Sequence, residues 1–195
     1  MIDDRLQRTI DAIDARNRDD PNRIEIRGAT GPKELAHAAL ASEWIERLVD
    51  TPSDELRLAV RAHHVRRWAI PRSDYPDGRA GYHRWRRELQ KRHAEHVGRL
   101  LLQQGYDEAT IARVQAIVRK QGLGSDPEVQ VFEDALCLVF IETQFRELAD
   151  RLGDEKLVDV TRKTIAKMSD AGIARLRELS LAEEDLALIE RALSQ

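Results

Sequence analysis

Apolar residues recur at intervals of three and four along most of this 195-residue chain. Leu6, Ile10 and Ile13 establish the pattern near the N-terminus, and similar spacings continue towards the C-terminus. Such intervals place apolar side chains on one face of an α-helix, where they pack against other helices. Alternation with a period of two occurs only at residues 24–26, which is too short to predict a convincing strand. The sequence therefore predicts an all-α protein with eight or nine helices.

Helix-breaking and capping residues divide the pattern into segments. Two turn-rich stretches, 17–31 and 70–81, are predicted to be loops. The predicted helices cover residues 3–15, 32–50, 53–68, 82–104, 111–118 and 126–148, with short helices capped by Ser169 and Ser180. We expect one compact helical bundle over residues 1–195. Its parts are an N-terminal helix and polar linker (1–31), a core (32–150) and C-terminal helices (151–195).

The chain lacks the sequence features of secreted, disulfide-bonded and membrane-spanning proteins. Its first five residues are polar and acidic in character, so we expect no signal peptide. The longest apolar run, residues 135–141, is far too short for a transmembrane helix. The one cysteine, Cys137, lies in that run and is expected to pack as a small buried hydrophobic residue. We expect a cytoplasmic protein that does not bind membranes.

The formal net charge of −3 conceals a strongly basic segment. Residues 61–92 contain ten basic and three acidic residues, a formal charge of +7, which leaves −10 for the rest of the chain. Nine of the ten basic residues are arginine, which suits bidentate recognition of phosphate or carboxylate. Interleaved aromatic residues could stack on a base or on arginine. Alternatively, these arginines pair with acidic helices elsewhere in the fold. The candidate anion-binding residues are Arg66, Arg67, Arg72, Arg79, Arg84, Tyr82 and Trp85.

Histidines and buried carboxylates form a second candidate site. Glu133 and Asp134 interrupt an otherwise apolar run, where an unpaired carboxylate would cost several kcal/mol. Neutral imidazole and carboxylate groups are the usual ligands of Mn, Fe, Zn or Ni. A lone histidine is also often a core or capping residue, and adjacent histidines on a helix point about 100° apart. The candidate metal ligands are His37, His63, His64 and Asp134, with Asp134 and Glu133 as catalytic candidates and His93 and Lys120 as additional ones.

The order of these residues resembles that of the HD superfamily of metal-dependent phosphohydrolases. Three segments carry the resemblance: Glu34–His37, Leu58–His64 and Glu133–Leu136. The resemblance implies an HD-like helical bundle, a divalent metal ion, and hydrolysis of a nucleotide or another phosphorylated small molecule. His64 stands where the superfamily has an aspartate, and Lys120 stands where two-metal members have a further histidine.

Four longer segments, spread over most of the chain, resemble the family catalogued as domain of unknown function 4202. These segments are Arg61–Arg72, Arg79–Arg86, Glu133–Phe140 and Arg162–Ser169. That resemblance implies a compact helical protein and no particular activity. The alternative to a phosphohydrolase is a non-catalytic helical module that binds an anionic ligand, a nucleotide or RNA, through its arginine-rich face.

Overall fold

The computed structural model describes residues 4–179 and 181–194. Over these ranges the chain forms α-helices, short 3-10 segments and one small β-hairpin, which confirms the all-α prediction. The α-helices are α1 (Asp4–Asn17), α2 (Lys33–Leu48), α3 (Asp54–Ala62), α4 (Gly78–Gln103), α5 (Glu108–Val118), α6 (Pro127–Leu152), α7 (Asp154–Ile165), α8 (Asp170–Ala174) and α9 (Glu183–Leu193). The 3-10 segments are Arg67–Ala69, Arg72–Asp74 and Arg175–Glu178.

A β-hairpin occupies part of the segment predicted to be a polar linker. Strands β1 (Arg23–Ile26) and β2 (Ala29–Pro32) pair antiparallel, so the prediction that the chain has no convincing strand is wrong here. Arg27 and Gly28 form the connection, with φ angles of 51° and 79°. Two successive residues with positive φ give the turn a twist that matches the twist of the two paired strands. Each strand has only four residues, which is why the alternation gave so little signal.

Several helix ends differ from the prediction for local reasons. Helix α3 stops at Ala62 rather than near residue 68, and Arg66 shortly after it is left-handed, with a φ of 54°. Helix α4 begins at Gly78, four residues earlier than predicted. Gly153 separates α7 from α6, and α7 was not predicted as a separate helix. The predicted cap Ser180 lies outside the described residues. Ser169 does cap a helix, because its Oγ accepts a hydrogen bond from the Gly172 amide at 3.1 Å.

The chain divides into two compact units. The first comprises the residues up to Glu43 together with Thr51–Gln121. In it, α4 and α3 pack on α5, and α1 packs on α3 and α4. Arg61 on α3 donates two hydrogen bonds of 2.6 Å to the Asp14 carboxylate on α1. Fully buried side chains of this unit include Leu6, Ile13, Leu40, Leu56, Leu58, Leu101 and Ile117.

The second unit comprises Trp44–Asp50 and the chain from Gly122 onward. Helix α6 packs on α7 and α8, and α7 packs on α9. Trp44, at the end of α2, donates from Nε1 to Glu142 Oε2 at 2.9 Å. Cys137 is 5% exposed, which confirms the prediction of a buried cysteine. The single-domain prediction over residues 1–195 stays a prediction. Among the described helices, none combines the length and apolar character needed to cross a bilayer.

Candidate metal centre

The candidate metal centre begins with Glu34, in the first turn of α2. Buried Asp20 anchors this helix end, because its Oδ2 accepts the Glu34 amide hydrogen at 2.9 Å. Its Oδ1 accepts hydrogen bonds from the backbone and side chain of Asn22 at 2.9 and 2.8 Å. The Lys33 amide also donates to the Asn22 carbonyl at 2.9 Å. The start of α2, and with it the backbone of Glu34, is therefore fixed by Asp20 and Asn22, which precede the β-hairpin.

Two histidines converge on one oxygen of the Glu34 carboxylate. His64 Nδ1 lies 3.0 Å from Glu34 Oε2, and His37 Nδ1 lies 3.8 Å from the same oxygen. One ligand atom from each of these three residues lies within 4.8 Å of the others. Ligands at about 2.1 Å from a tetrahedral ion are about 3.4 Å apart, a spacing bracketed by the two observed distances. The three side chains therefore fit a divalent metal ion.

The turn after α3 sets the position of His64. The left-handed Arg66 reverses the chain, and its amide donates to Asn17 Oδ1 at the end of α1 at 3.2 Å. His63 turns back on its own helix, with Nδ1 2.7 Å from the Val60 carbonyl oxygen. Because that carbonyl only accepts, His63 carries its proton on Nδ1. The two rings stay in contact, with their centres 4.2 Å apart, but of the two only His64 pairs with Glu34, and its side chain is still 26% exposed.

Arg67 holds the second oxygen of Glu34. Its Nη1 lies 3.5 Å from Glu34 Oε1, and its guanidinium lies 5.0 Å from the centre of the Trp85 ring. Trp85 is itself fixed, because Nε1 donates to the Ile70 carbonyl at 2.9 Å. Trp85 and Arg67 therefore orient the carboxylate so that Oε2 faces both histidines. One predicted anion-binding residue, Arg67, therefore contacts the metal centre, and another, Trp85, supports Arg67.

The protonation states of this cluster suit a metal ligand set. Burial alone would raise the pKa of Glu34, but its interactions with His64, His37 and Arg67 outweigh burial and hold the pKa well below the usual range. Burial, with a contribution from His63, holds the pKa of His64 well below its usual value. An ionised carboxylate and a neutral imidazole are the forms that bind divalent cations.

His93 adds a buried imidazole beside the cluster. Its Nδ1 lies 3.1 Å from the Val65 carbonyl oxygen, and its ring centre lies 5.7 Å from that of His64. Its Nε2 is buried and has no hydrogen-bond partner among the described residues. Burial lowers the pKa of His93 to about 3, and that of His63 to about 4. His93 therefore presents an unpaired nitrogen lone pair, and its role as an additional ligand stays a prediction.

Three other predicted anion-binding arginines belong to the 70–84 region of the first unit. Arg72 donates to the carbonyl oxygens of Tyr75 and Pro76 at 2.7 and 2.9 Å, which shapes the loop. Arg79 donates to His83 Nε2 at 3.3 Å on the surface. Arg84 is exposed and lines a cavity of about 370 Å³. The cavity is also lined by Ala69, Ile70, Asp74, Tyr75 and Pro76.

The remaining anion-binding candidates are exposed. Arg66 is exposed, and Tyr82 is 44% exposed with its ring centre 5.9 Å from that of Trp85. The alternative that the arginines pair with acidic helices elsewhere in the fold holds for Arg61 and Arg67, which contact Asp14 on α1 and Glu34 on α2. Arg92 pairs with Glu88 on its own helix. The basic segment thus contains both structural ion pairs and exposed cations.

Asp134 belongs to the second unit and has partners there. Its Oδ1 accepts from the Ser169 amide at 2.9 Å and from Gln130 Nε2 at 3.0 Å, and Oδ2 accepts from Ser169 Oγ at 2.5 Å. Glu133 is 3% exposed, and its Oε1 lies 3.9 Å from Cys137 Sγ. The catalytic and metal-binding roles of Asp134 and Glu133 stay predictions, as does that of Lys120.

Glu34 was not among the candidate ligands from the sequence, although it opened a segment that carried the resemblance. A carboxylate and a histidine three residues apart share one helix face, as in metal-binding helices with a Glu-x-x-His pattern. That spacing was the available signal. The pairing with His64, 30 residues further along the chain, depends on tertiary structure.

The fold and this cluster define an all-α protein with a Glu–His–His group compatible with metal binding. Residues 7–189 match the family model described as Domain of unknown function (DUF4202), and the chain belongs to that family. Comparisons with curated proteins and with solved structures gave no significant match. The resemblance to the HD superfamily stays an expectation.

Proposed function

We propose that the protein is a metal-dependent phosphohydrolase that acts on a nucleotide or another phosphorylated small molecule. The observation that carries the proposal is the convergence of His64 Nδ1 and His37 Nδ1 on Glu34 Oε2. In this proposal Glu34, His37 and His64 hold the ion. Two imidazoles and one carboxylate suit Mn, Fe, Zn or Ni. When bound, such an ion supplies Lewis acidity and lowers the pKa of a water molecule.

The surrounding residues support an anionic substrate. Arg67 keeps the Glu34 carboxylate in place, and Trp85 connects Arg67 to Ile70 through its ring contact and hydrogen bond. Ile70 also lines the 370 Å³ cavity, which is within the size range of small-molecule sites. Exposed Arg84 on the cavity wall would bind a phosphate group of the substrate by charge-assisted hydrogen bonds. The cavity would hold the rest of the substrate.

The test is hydrolysis of a panel of nucleoside mono-, di- and triphosphates and nitrophenyl phosphates by protein loaded in turn with each of the four metals. We expect Glu34→Gln to abolish turnover, because the variant removes the anionic ligand. His83→Gln is the matched control, since His83 is an exposed histidine outside the cluster. A protein of confirmed metal content that cleaves none of these compounds would overturn the proposal.

A second variant tests the role of the cavity. Arg84→Gln should raise KM about tenfold with little change in kcat, because it removes one charge-assisted contact with the bound substrate. Arg86→Gln removes an exposed arginine outside the cavity lining and should leave KM unchanged. Equal effects of the two substitutions would show that Arg84 acts only through net charge.

A further inference from the structure

Helix α4 carries a further group of basic residues centred on His96, which lies one turn beyond His93. Arg92 and Arg99 lie four residues before and three residues after His96, so the three side chains share one face of the helix. Arg92 and Arg99 are exposed, and His96 is half-buried between them. This face lies outside the Glu34–His37–His64 cluster.

Two further elements bring arginines to the same place. The Arg66 amide donates to Asn17 Oδ1 at 3.2 Å, which fixes Arg66 beside Arg16 at the end of α1. The neighbouring Val65 carbonyl accepts from His93 on α4 at 3.1 Å. The turn after α3 is thereby fixed against both helices. The His96 patch consists of Arg16, Arg66, Arg92, Arg99 and His96.

The positive charges of the His96 patch act on one imidazole. Burial and then the charges of Arg99, Arg66, Arg92 and Arg16 lower the pKa of His96. The charges of arginines on α1, on α4 and in the turn after α3 thus all reach His96. Like charges gathered in this way repel each other, and a bound anion relieves the repulsion.

Few carboxylates neutralise the patch. Arg92 pairs with Glu88 at 2.9 Å, and Arg16 donates to the Ala12 carbonyl at 2.7 Å. The nearby Glu95 lies 3.9 Å from Lys91 and also interacts with Arg92. Within residues 4–179 and 181–194, the side chains of Arg66 and Arg99 have neither an ion pair nor a hydrogen bond in the structure.

We propose that the His96 patch is a binding site for a compact polyphosphate group, such as a nucleotide triphosphate moiety or inorganic triphosphate. Arginines from three elements that are tied together act on His96, which suits a small, multiply charged anion better than an extended strand. This site shares no residue with the metal centre and does not rest on the proposed function.

The test is calorimetric titration of the metal-free protein with inorganic tripolyphosphate at physiological ionic strength. We expect saturable binding with one site per chain. The double variant Arg66→Gln/Arg99→Gln should lose about a hundredfold in affinity, roughly tenfold for each charged contact removed. Neither side chain has a structural partner, so the variant should fold like wild type, which circular dichroism checks.

The control variant is Arg86→Gln/Arg87→Gln, which removes the same charge from exposed positions on the same helix. It should retain wild-type affinity, and Glu34→Gln should retain it as well, since the metal centre is a different site. Equal losses in the two arginine pairs would overturn the proposal. So would an absence of saturable binding, or binding of a single-stranded RNA oligomer by a protein that does not bind tripolyphosphate.

Discussion

Asp134→Ala should lower the free energy of unfolding by about 3 kcal/mol even in the absence of metal. The carboxylate is 1% exposed and accepts three hydrogen bonds, two from Ser169 and one from Gln130. Hydrogen bonds to a charged group contribute about 1.5 kcal/mol each or more, and the relief of a buried charge offsets part of the loss. Ser169 also caps α8, so the substitution removes the hydrogen bonds that hold Ser169 and weakens the start of this helix as well.

Urea unfolding in the presence of a chelator measures this effect. Ser169→Ala alone should cost about 2 kcal/mol, and a double-mutant cycle should give a coupling of about 1.5 kcal/mol with Asp134. The control is Asp170→Ala, an exposed acidic residue beside the cap, which should change stability by only about 0.5 kcal/mol. If Asp134→Ala is as stable as this control, the reasoning is wrong.

Three further predictions concern the first unit. Arg61→Lys should cost about 2 kcal/mol in urea unfolding, because lysine cannot form both hydrogen bonds to Asp14, and a loss similar to that of an exposed arginine would contradict this. Gly81→Ala should destabilise the protein by about 3 kcal/mol in thermal unfolding, because an added Cβ would lie 1.8 Å from the Pro76 carbonyl oxygen. A gain in stability would contradict this close packing. The pKa of His93 is about 3 in the folded protein, whereas a histidine in the unfolded chain has a pKa of about 6.5. Below about pH 6.5 the unfolded state therefore binds more protons, and the metal-free protein should lose stability as pH falls. His93 alone should contribute a loss of about 2 kcal/mol at pH 5. His93→Leu should reduce that pH dependence, measured from urea midpoints between about pH 7 and 5, and an unchanged slope would contradict the assignment.

Helical structure was predictable from the sequence because apolar spacing and caps are local signals. Ser169 illustrates this, since it was predicted to cap a helix and its Oγ lies 3.1 Å from the Gly172 amide. The hairpin was missed because each four-residue strand is too short to show a period. Arg66 was also unpredictable, because arginine does not favour the left-handed conformation that ends the α3 region.

The candidate site was predictable in its residue types and less so in its partners. His37 and His64 were candidate ligands, and the structure brings both to Glu34. Glu34 was missed because the most apolar run, around Asp134, gave the stronger signal for a buried carboxylate. His63 could not be separated from His64 without the backbone, which turns one ring towards Val60 and the other towards Glu34.

The arginine-rich segment shows why net local charge does not identify a binding surface. Arg61 and Arg67 contact carboxylates of the first unit, at Asp14 and Glu34, and Arg72 donates to backbone carbonyls. Arg66 and Arg84 remain exposed. Arg66 lies in the turn after α3, and Arg84 lies on α4 and lines the cavity. Only the tertiary structure distinguishes the arginines that stabilise the fold from those available to a ligand.

Metal content, measured in protein purified without an affinity tag and again after loading with Mn, Fe, Zn or Ni, tests whether Glu34, His37 and His64 hold an ion. We expect one tightly bound ion per chain in wild type and in the exposed control His83→Gln. Binding should weaken at least about a hundredfold in Glu34→Gln and in His37→Gln, because each substitution removes a ligand from a three-residue set. A wild-type protein that binds none of these metals, or a Glu34→Gln variant that binds as tightly as wild type, would contradict this expectation.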